Sequence, residues 1–80
     1  MNREEAYRLL VSELQKIQLL GLIDAKDALL QSDERTVRGE AGLLYTIEVK
    51  LVGNRLHGSI HDSNSFKFDL VEESMVIEGP

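Results

Sequence analysis

The stretch LLYTIEVKLVGNRLHGSIHDSNSFKFDL, residues 43–70, decides the fold, because apolar residues alternate with others on both sides of a short turn. Such a period of two, rich in β-branched and aromatic residues, is typical of a half-buried β-strand. The alternating residues before the turn are Tyr45, Ile47, Val49 and Leu51. The dipeptide Gly53-Asn54 follows, and both residue types reach the positive φ of a two-residue hairpin turn at low cost.

A hairpin that closes at this dipeptide has a fixed register. Three apolar or glycine pairs then lie opposite one another on one face, called here the inner face: Leu51 with Leu56, Val49 with Gly58, and Ile47 with Ile60. A slip of one residue would place apolar residues opposite polar ones, so the agreement tests the register.

A second alternation, Phe66, Phe68 and Leu70, predicts a third strand beside the second, after a loop at residues 62–64. Matching the inner faces places Phe68 over Gly58, Phe66 beside Ile60 and Leu70 beside Leu56. The opposite, outer face then carries polar rows, with one face of the sheet buried and the other wet. These rows are Lys50, His57 and Asp69; Glu48, Ser59 and Lys67; and Thr46, His61 and Ser65.

Two helices are predicted before the sheet, over about residues 3–20 and 25–31. In the first, one apolar stripe repeats at three and four residues: Tyr7, Leu10, Leu14, Ile17 and Leu20. Asn2 caps this helix, with Glu5 as its capping-box partner, and Gly21 ends it. Asp24 caps the second helix. The stripe covers only about two heptads, so packing on the sheet is favoured over a coiled coil.

The remaining elements give weaker signals. Residues 31–34 read as a polar connection, and residues 35–38 as a short strand that places Val37 beside Tyr45, a core aromatic residue with its hydroxyl near the rim. Met75 and Ile77 suggest a last strand that turn chemistry does not place. The chain, residues 1–80, is thus expected to be one α+β domain: an N-terminal helical hairpin packed on one face of a four- or five-stranded antiparallel meander sheet over about residues 35–78.

Composition excludes several functions. The chain has 80 residues, no cysteine and a net charge of −5. Disulfides, thiolate metal sites and a cysteine nucleophile are therefore excluded. Basic residues are scattered, which argues against nucleic acid and anionic membranes as partners. The absence of a spanning apolar run of about 20 residues and of a signal-peptide pattern predicts a cytoplasmic protein. A cavity of ~300 Å³ would remove much of so small a core, which argues against a deep enzyme pocket.

A series of short motifs runs through nearly the whole chain: REEA and SELQKIQLL in the first helix, LIDA, RTVRGEAGLLYTIEV, NRLHGSIHDSNSFKF and LVEESMVIEGP. The pattern resembles a family of small uncharacterised bacterial α+β proteins of unknown function. Many of those relatives carry aromatic or Gly-Gly residues where this chain has Ser63-Asn64-Ser65. The resemblance implies the fold and supplies no chemistry.

Candidate catalytic and metal-binding groups are few. His57 and His61 lie four residues apart, about 13 Å along a strand, so one metal ion does not bind both, and no metal or cofactor is expected. His57 could pair with Asp69 near Ser59, as in a hydrolytic triad. A flat, wet sheet surface offers no oxyanion hole, so a solvated polar ladder is the favoured interpretation.

These observations predict a non-enzymatic cytoplasmic protein-binding or assembly module. Its candidate interaction surface is the outer face, at Lys50, His57, Ser59, His61 and Lys67. A homodimer through an open edge strand is the form of self-association considered. Two alternatives stay open: a small acidic inhibitor of the immunity-protein, antitoxin or anti-defence type, and a minor hydrolase that uses His57 and Asp69.

Overall fold

The computed structural model describes residues 2–29, 32–40, 42–62 and 70–78. Along the chain its elements are α1 (Arg3–Gln18), α2 (Leu22–Leu29), β1 (Ser32–Arg38), β2 (Leu44–Val52), β3 (Arg55–Asp62) and β4 (Val71–Val76). The described strands form one antiparallel sheet in the order β1-β2-β3-β4. Both helices pack on the same core as the inner face of this sheet. The predicted α+β class is confirmed, with four strands and no fifth among the described residues.

The central hairpin has the predicted register. Leu51 lies opposite Leu56, Val49 opposite Gly58, and Ile47 opposite Ile60. Gly53 has a φ of 62°, as the two-residue turn requires. The prediction that Val37 lies beside Tyr45 is also confirmed.

The predicted neighbour of β3 is wrong. Strand β4 occupies the place assigned to residues 66–70, and it pairs Leu56 with Met75 instead of Leu70. Residues 63–69, which include Phe66 and Phe68, lie outside the described part of the chain. Met75 lies in a last strand, as predicted, although Ile77 follows the end of β4. The position of β4 beside β3 was not predicted, because Glu73 interrupts its inner face. That carboxylate is accommodated because the Tyr7 hydroxyl of α1 donates a hydrogen bond of 2.7 Å to it.

Helix α1 packs directly on Gly58, where the sequence placed Phe68. An added Cβ at Gly58 would lie 2.8 Å from both Leu10 Cδ1 and Leu14 Cδ2. The glycine therefore lets the helix approach the strand closely. Two helices, two strands and Ile77 contribute the buried residues of the core: Ala6, Leu10, Leu14, Ile17, Ala25, Leu29, Tyr45, Ile47, Val49, Leu56, Ile60 and Ile77. Tyr7 and Leu20, the ends of the predicted stripe, are about half exposed.

The helix boundaries agree in part with the sequence. Asn2 caps α1, and its side-chain oxygen accepts a hydrogen bond of 3.1 Å from the Glu5 N–H. Helix α2 begins earlier than predicted, because the Gly21 carbonyl accepts from the Ala25 N–H at 2.9 Å. Asp24 thus lies in the first turn of α2 instead of capping it. Within the described residues, neither helix is long and apolar enough to cross a bilayer.

Strand β1 begins at Ser32, within the segment predicted to be a polar connection. Its inner face carries charges that the structure pairs. Arg35 donates to Asp33 of the same strand and, at 3.0 Å, to Glu13 of α1. This ion network lets a mainly polar edge strand continue the sheet, with Val37 as the apolar residue on its inner face.

Candidate functional site

The outer face of the sheet lies opposite the helices and carries mainly polar side chains. Alternation places Glu48 and Lys50 of β2 on this face, with His57 and Ser59 of β3. Strand β4 adds Glu72 and Ser74, which the register places beside Ser59 and His57. We call the surface formed by these six residues the outer groove: Glu48, Lys50, His57, Ser59, Glu72 and Ser74.

The outer groove is a depression of about 570 Å³, open to solvent. This volume is larger than ~300 Å³, the size of cavity that so small a core was not expected to accommodate. That expectation concerned a cavity cut into the core, whereas this depression lies on the opposite side of the sheet. The size of the chain therefore does not argue against a binding surface here.

One row of the outer face is acidic. Glu34 of β1 lies opposite Glu48, Glu48 opposite Ser59, and Ser59 opposite Glu72. Glu34, Glu48 and Glu72 are exposed, and none forms an ion pair with another residue in the described ranges. Like charges directly opposite one another on neighbouring strands destabilise a sheet, by a few tenths of a kcal/mol to about 1 kcal/mol. The fold therefore retains a carboxylate row that its own described residues do not neutralise.

The next row contains Lys50, His57 and Ser74. This row corrects the predicted pairing of His57 with Asp69, because the residue opposite His57 is Ser74. Asp69 itself lies outside the described residues. The register that suggested a His57 and Asp69 hydrolase is therefore wrong, and the reason is the displaced third strand.

Three of the five predicted interaction residues line the outer groove: Lys50, His57 and Ser59. His61 is on the same face but farther along β3, opposite Thr46, and its Nδ1 lies 3.1 Å from the carbonyl oxygen of Asp62. Lys67 lies outside the described residues. Sequence reasoning missed Glu72 and Ser74 as groove residues because their placement depends on the position of β4.

A second polar group is buried beneath the sheet, at the start of α1. Glu5 is 7% exposed, and it accepts hydrogen bonds from the Tyr45 hydroxyl at 2.9 Å and from the Glu40 N–H at 3.1 Å. Burial raises the pKa of Tyr45, and the Glu5 carboxylate and the charge of Asp62 raise it further. The predicted role of Glu5 as a capping-box partner is wrong, because its carboxylate binds Tyr45 and Glu40 instead. The predicted core position of Tyr45 is confirmed. The cluster anchors the helix to the sheet.

The described ranges contain no candidate metal site. No group of three or more His, Asp or Glu side chains there is arranged to hold a metal ion. His57 and His61 lie along one strand, at a separation of about 13 Å for four residues. The two histidines are therefore too far apart to bind one metal ion together.

Comparison of this chain with protein-family models, with curated proteins and with solved structures finds no match. The resemblance to small bacterial α+β proteins consequently stays a prediction from its motifs.

Proposed function

We propose that the protein is a non-enzymatic binding module that receives a charged segment of a partner protein in the outer groove. The observation that carries this proposal is the acidic row, in which Glu48 and Glu72 flank Ser59 without a cation among the described residues. Helices α1 and α2 pack on the other face of the sheet, so they leave the groove open to a partner.

The acidic row fits an arginine or lysine of the partner. Glu48 and Glu72 lie on strands two apart, so their Cα atoms are about 10 Å from each other. Both carboxylates can therefore reach a single guanidinium placed above Ser59. Arginine is the better occupant, because its planar group presents five N–H donors that match carboxylate geometry.

Lys50 favours an anion as a second feature of the partner. Lys50 lies two residues along β2 from Glu48, a distance of about 6.5–7 Å. A partner segment with a cation and an anion at that spacing would complement both rows at once. Residues four apart on one helix face have a similar spacing, which makes an amphipathic, mixed-charge helix the partner that fits best.

This proposal is tested by capture of partners from the source cells with two matched variants. Glu48→Gln/Glu72→Gln removes both groove carboxylates. Asp27→Asn/Glu78→Gln removes two exposed carboxylates elsewhere and changes the net charge equally. We expect one stoichiometric protein to be captured by the wild type and the control and lost with the groove variant.

The captured protein is then identified, and its affinity for the purified module is measured at low and high salt. We expect the affinity of the wild type to fall as the salt concentration rises. Any residual affinity of the groove variant should fall less steeply with salt. Equal capture by the groove variant and the control, or no captured protein at all, would refute the proposal.

A small acidic inhibitor is the second candidate, favoured by the exposure of Glu72 and Glu78. Glu73 does not belong to this exposed acidic surface, because it faces α1 and accepts a hydrogen bond from the Tyr7 hydroxyl. The inhibitor hypothesis predicts that Glu72→Gln/Glu78→Gln abolishes binding to a basic active site while Glu48→Gln has little effect. The groove proposal predicts a loss of binding with Glu48→Gln.

A further inference from the structure

We infer that a second copy of this chain pairs with strand β1 across its open edge, in an antiparallel register centred on Thr36. This surface is distinct from the outer groove, and it adds self-association to the proposed binding function. Strand β1 is at one end of the described sheet, with β2 as its only neighbour among the described strands. An open edge presents unpaired backbone groups that a second strand can bind.

The charges of β1 are self-complementary. Glu34, Thr36 and Arg38 alternate along the outer face, so Glu34 and Arg38 lie two residues on either side of Thr36. A two-fold axis through Thr36 brings Glu34 opposite Arg38 of the second copy, and the reciprocal pair follows by symmetry. Both residues are exposed, and neither forms an ion pair with another residue in the described ranges.

Other registers are less favourable. Directly opposed residues of an antiparallel pair have their side chains on the same face. If the helices of both copies lie on one face of the joint sheet, the two-fold axis must therefore lie between the two copies of one residue. An axis at Arg35 opposes that arginine to itself, and an axis at Glu34 opposes two glutamates. Like charges directly opposed destabilise the pairing. An axis at Val37 places Arg38 opposite Thr36 and forms no ion pair within β1, so Thr36 is the favoured centre.

The other edge of the sheet is unsuitable for self-pairing. Strand β4 carries Glu72 and Glu73 and no basic residue, so it has a charge of −2. Strand β1 carries two acidic and two basic residues, Asp33, Glu34, Arg35 and Arg38, and its charge is zero. Two copies of β4 would gather four carboxylates along one edge, whereas two copies of β1 gather balanced charges.

The acidic row of the outer face provides a second reason. Glu34 lies directly opposite Glu48 within the chain, and this like-charge pair has no cation among the described residues. In the proposed register Arg38 of the second copy continues the same row next to Glu34. The dimer therefore neutralises a repulsion that the monomer retains.

Cysteine crosslinking tests the register directly, because the wild-type chain has no cysteine. Thr36→Cys places two thiols directly opposite, with Cα atoms about 4.5–5.5 Å apart, within disulfide range. Glu34→Cys places them four residues apart along the strands, about 13 Å, beyond that range. We expect a disulfide-linked dimer under mild oxidation for Thr36→Cys, and monomers for Glu34→Cys and for Ser74→Cys on β4. Equal crosslinking of all three, or none with Thr36→Cys, overturns the inference.

Charge reversal separates assembly from folding. Glu34→Arg opposes two cations across the dimer, yet within the chain it places a cation opposite Glu48, so the monomer should fold at least as stably. The pairing covers about five residues per copy and buries less than the ~1,000 Å² of a stable interface, so association should depend on concentration. Sedimentation velocity up to about 1 mM is expected to show reversible dimers for the wild type, monomers for Glu34→Arg, and dimers again for Glu34→Arg/Arg38→Glu. A monomeric wild type, dimers of Glu34→Arg or no recovery in the double variant overturns the inference.

Discussion

The Tyr45 hydroxyl donates a hydrogen bond of 2.9 Å to the Glu5 carboxylate, and this bond joins the first turn of α1 to strand β2 across 40 residues of sequence. The other Glu5 oxygen accepts from the Glu40 N–H in the connection between β1 and β2. Gly39 makes the arrangement possible, since a Cβ at that position would overlap both the Glu5 carboxylate and the Tyr45 ring. One buried carboxylate thus holds a helix, a strand and a loop together.

Tyr45→Phe should lower the free energy of unfolding by about 1–3 kcal/mol, because it removes a donor from a buried carboxylate. Tyr7→Phe is the matched control, since it deletes the same atom from a hydroxyl that binds Glu73 in a more exposed position. Glu73 also retains the hydrogen bond from the Ser74 N–H. Urea unfolding should show the smaller loss for Tyr7→Phe, and the reverse order would contradict the anchoring role of Tyr45.

Gly58→Ala should destabilise the fold by about 1–3 kcal/mol, because its methyl group would overlap Leu10 and Leu14 of α1. Reduced freedom of the unfolded chain offsets part of this cost, by about 0.4–1 kcal/mol. A Leu14→Ala background removes one of the two overlaps and leaves that with Leu10, so the two substitutions should cost less together than the sum of their separate effects. A double-mutant cycle by chemical denaturation measures this coupling, and strict additivity would mean that α1 does not rest on Gly58.

Tyr7 and Glu73 should give stability a dependence on pH at both ends of the range. The Tyr7 hydrogen bond, aided by the Ser74 N–H, holds the pKa of Glu73 below its ordinary value of 4.5. Its contribution is therefore present above pH 4.5 and is lost as pH falls through the lowered pKa. The Glu73 carboxylate raises the pKa of Tyr7 above 10.0, so the Tyr7 contribution is present below pH 10.0 and is lost at higher pH.

Thermal unfolding across this pH range checks both contributions. Tyr7→Phe should weaken the acid dependence and the alkaline dependence together. Glu72→Gln, which alters the neighbouring carboxylate on the outer face, should leave them unchanged. An unaltered pH profile in Tyr7→Phe would show that the hydrogen bond does not contribute to stability.

Gly53→Ala should cost about 1–2 kcal/mol, because the residue has a φ of 62° that disfavours a Cβ. No atom outside its immediate neighbours lies within 4 Å of a Cβ built there, so the effect isolates the backbone conformation. Gly53→Asn should cost less, since asparagine tolerates the left-handed region. If equilibrium unfolding showed equal losses of stability for alanine and asparagine, the positive φ of Gly53 would not be the cause of the effect.

The central hairpin was predictable because two local signals agree. The apolar alternation around Val49 selects the inner face, and the turn at Gly53 fixes the same register. The register alone gives the outer-face positions of four groove residues, Glu48, Lys50, His57 and Ser59. Four of the six residues of the outer groove could therefore be placed from the amino-acid sequence.

The other two groove residues, Glu72 and Ser74, could not be placed because the position of β4 depends on contacts distant in sequence. Glu73 breaks the apolar face of β4, and its carboxylate is held by the Tyr7 hydroxyl of α1, a residue 66 positions earlier. Local alternation at Phe66 and Phe68 gave a stronger signal than β4 does, which displaced the predicted partners of β3. The same limit applies to β1, where Arg35 is stabilised by Glu13, a residue 22 positions earlier.

The packing of α1 on β4 has a consequence for the order in which the protein is made. The ribosome synthesises α1 well before β4, yet Tyr7 binds Glu73 and the Gln18 side chain binds the Val76 carbonyl. The hairpin of β2 and β3 can pair earlier, but an isolated two-stranded hairpin is only marginally stable in water. The contacts between α1 and β4 thus form only after β4 has left the ribosome, although α1 can already pack on β3 at Gly58 before that point.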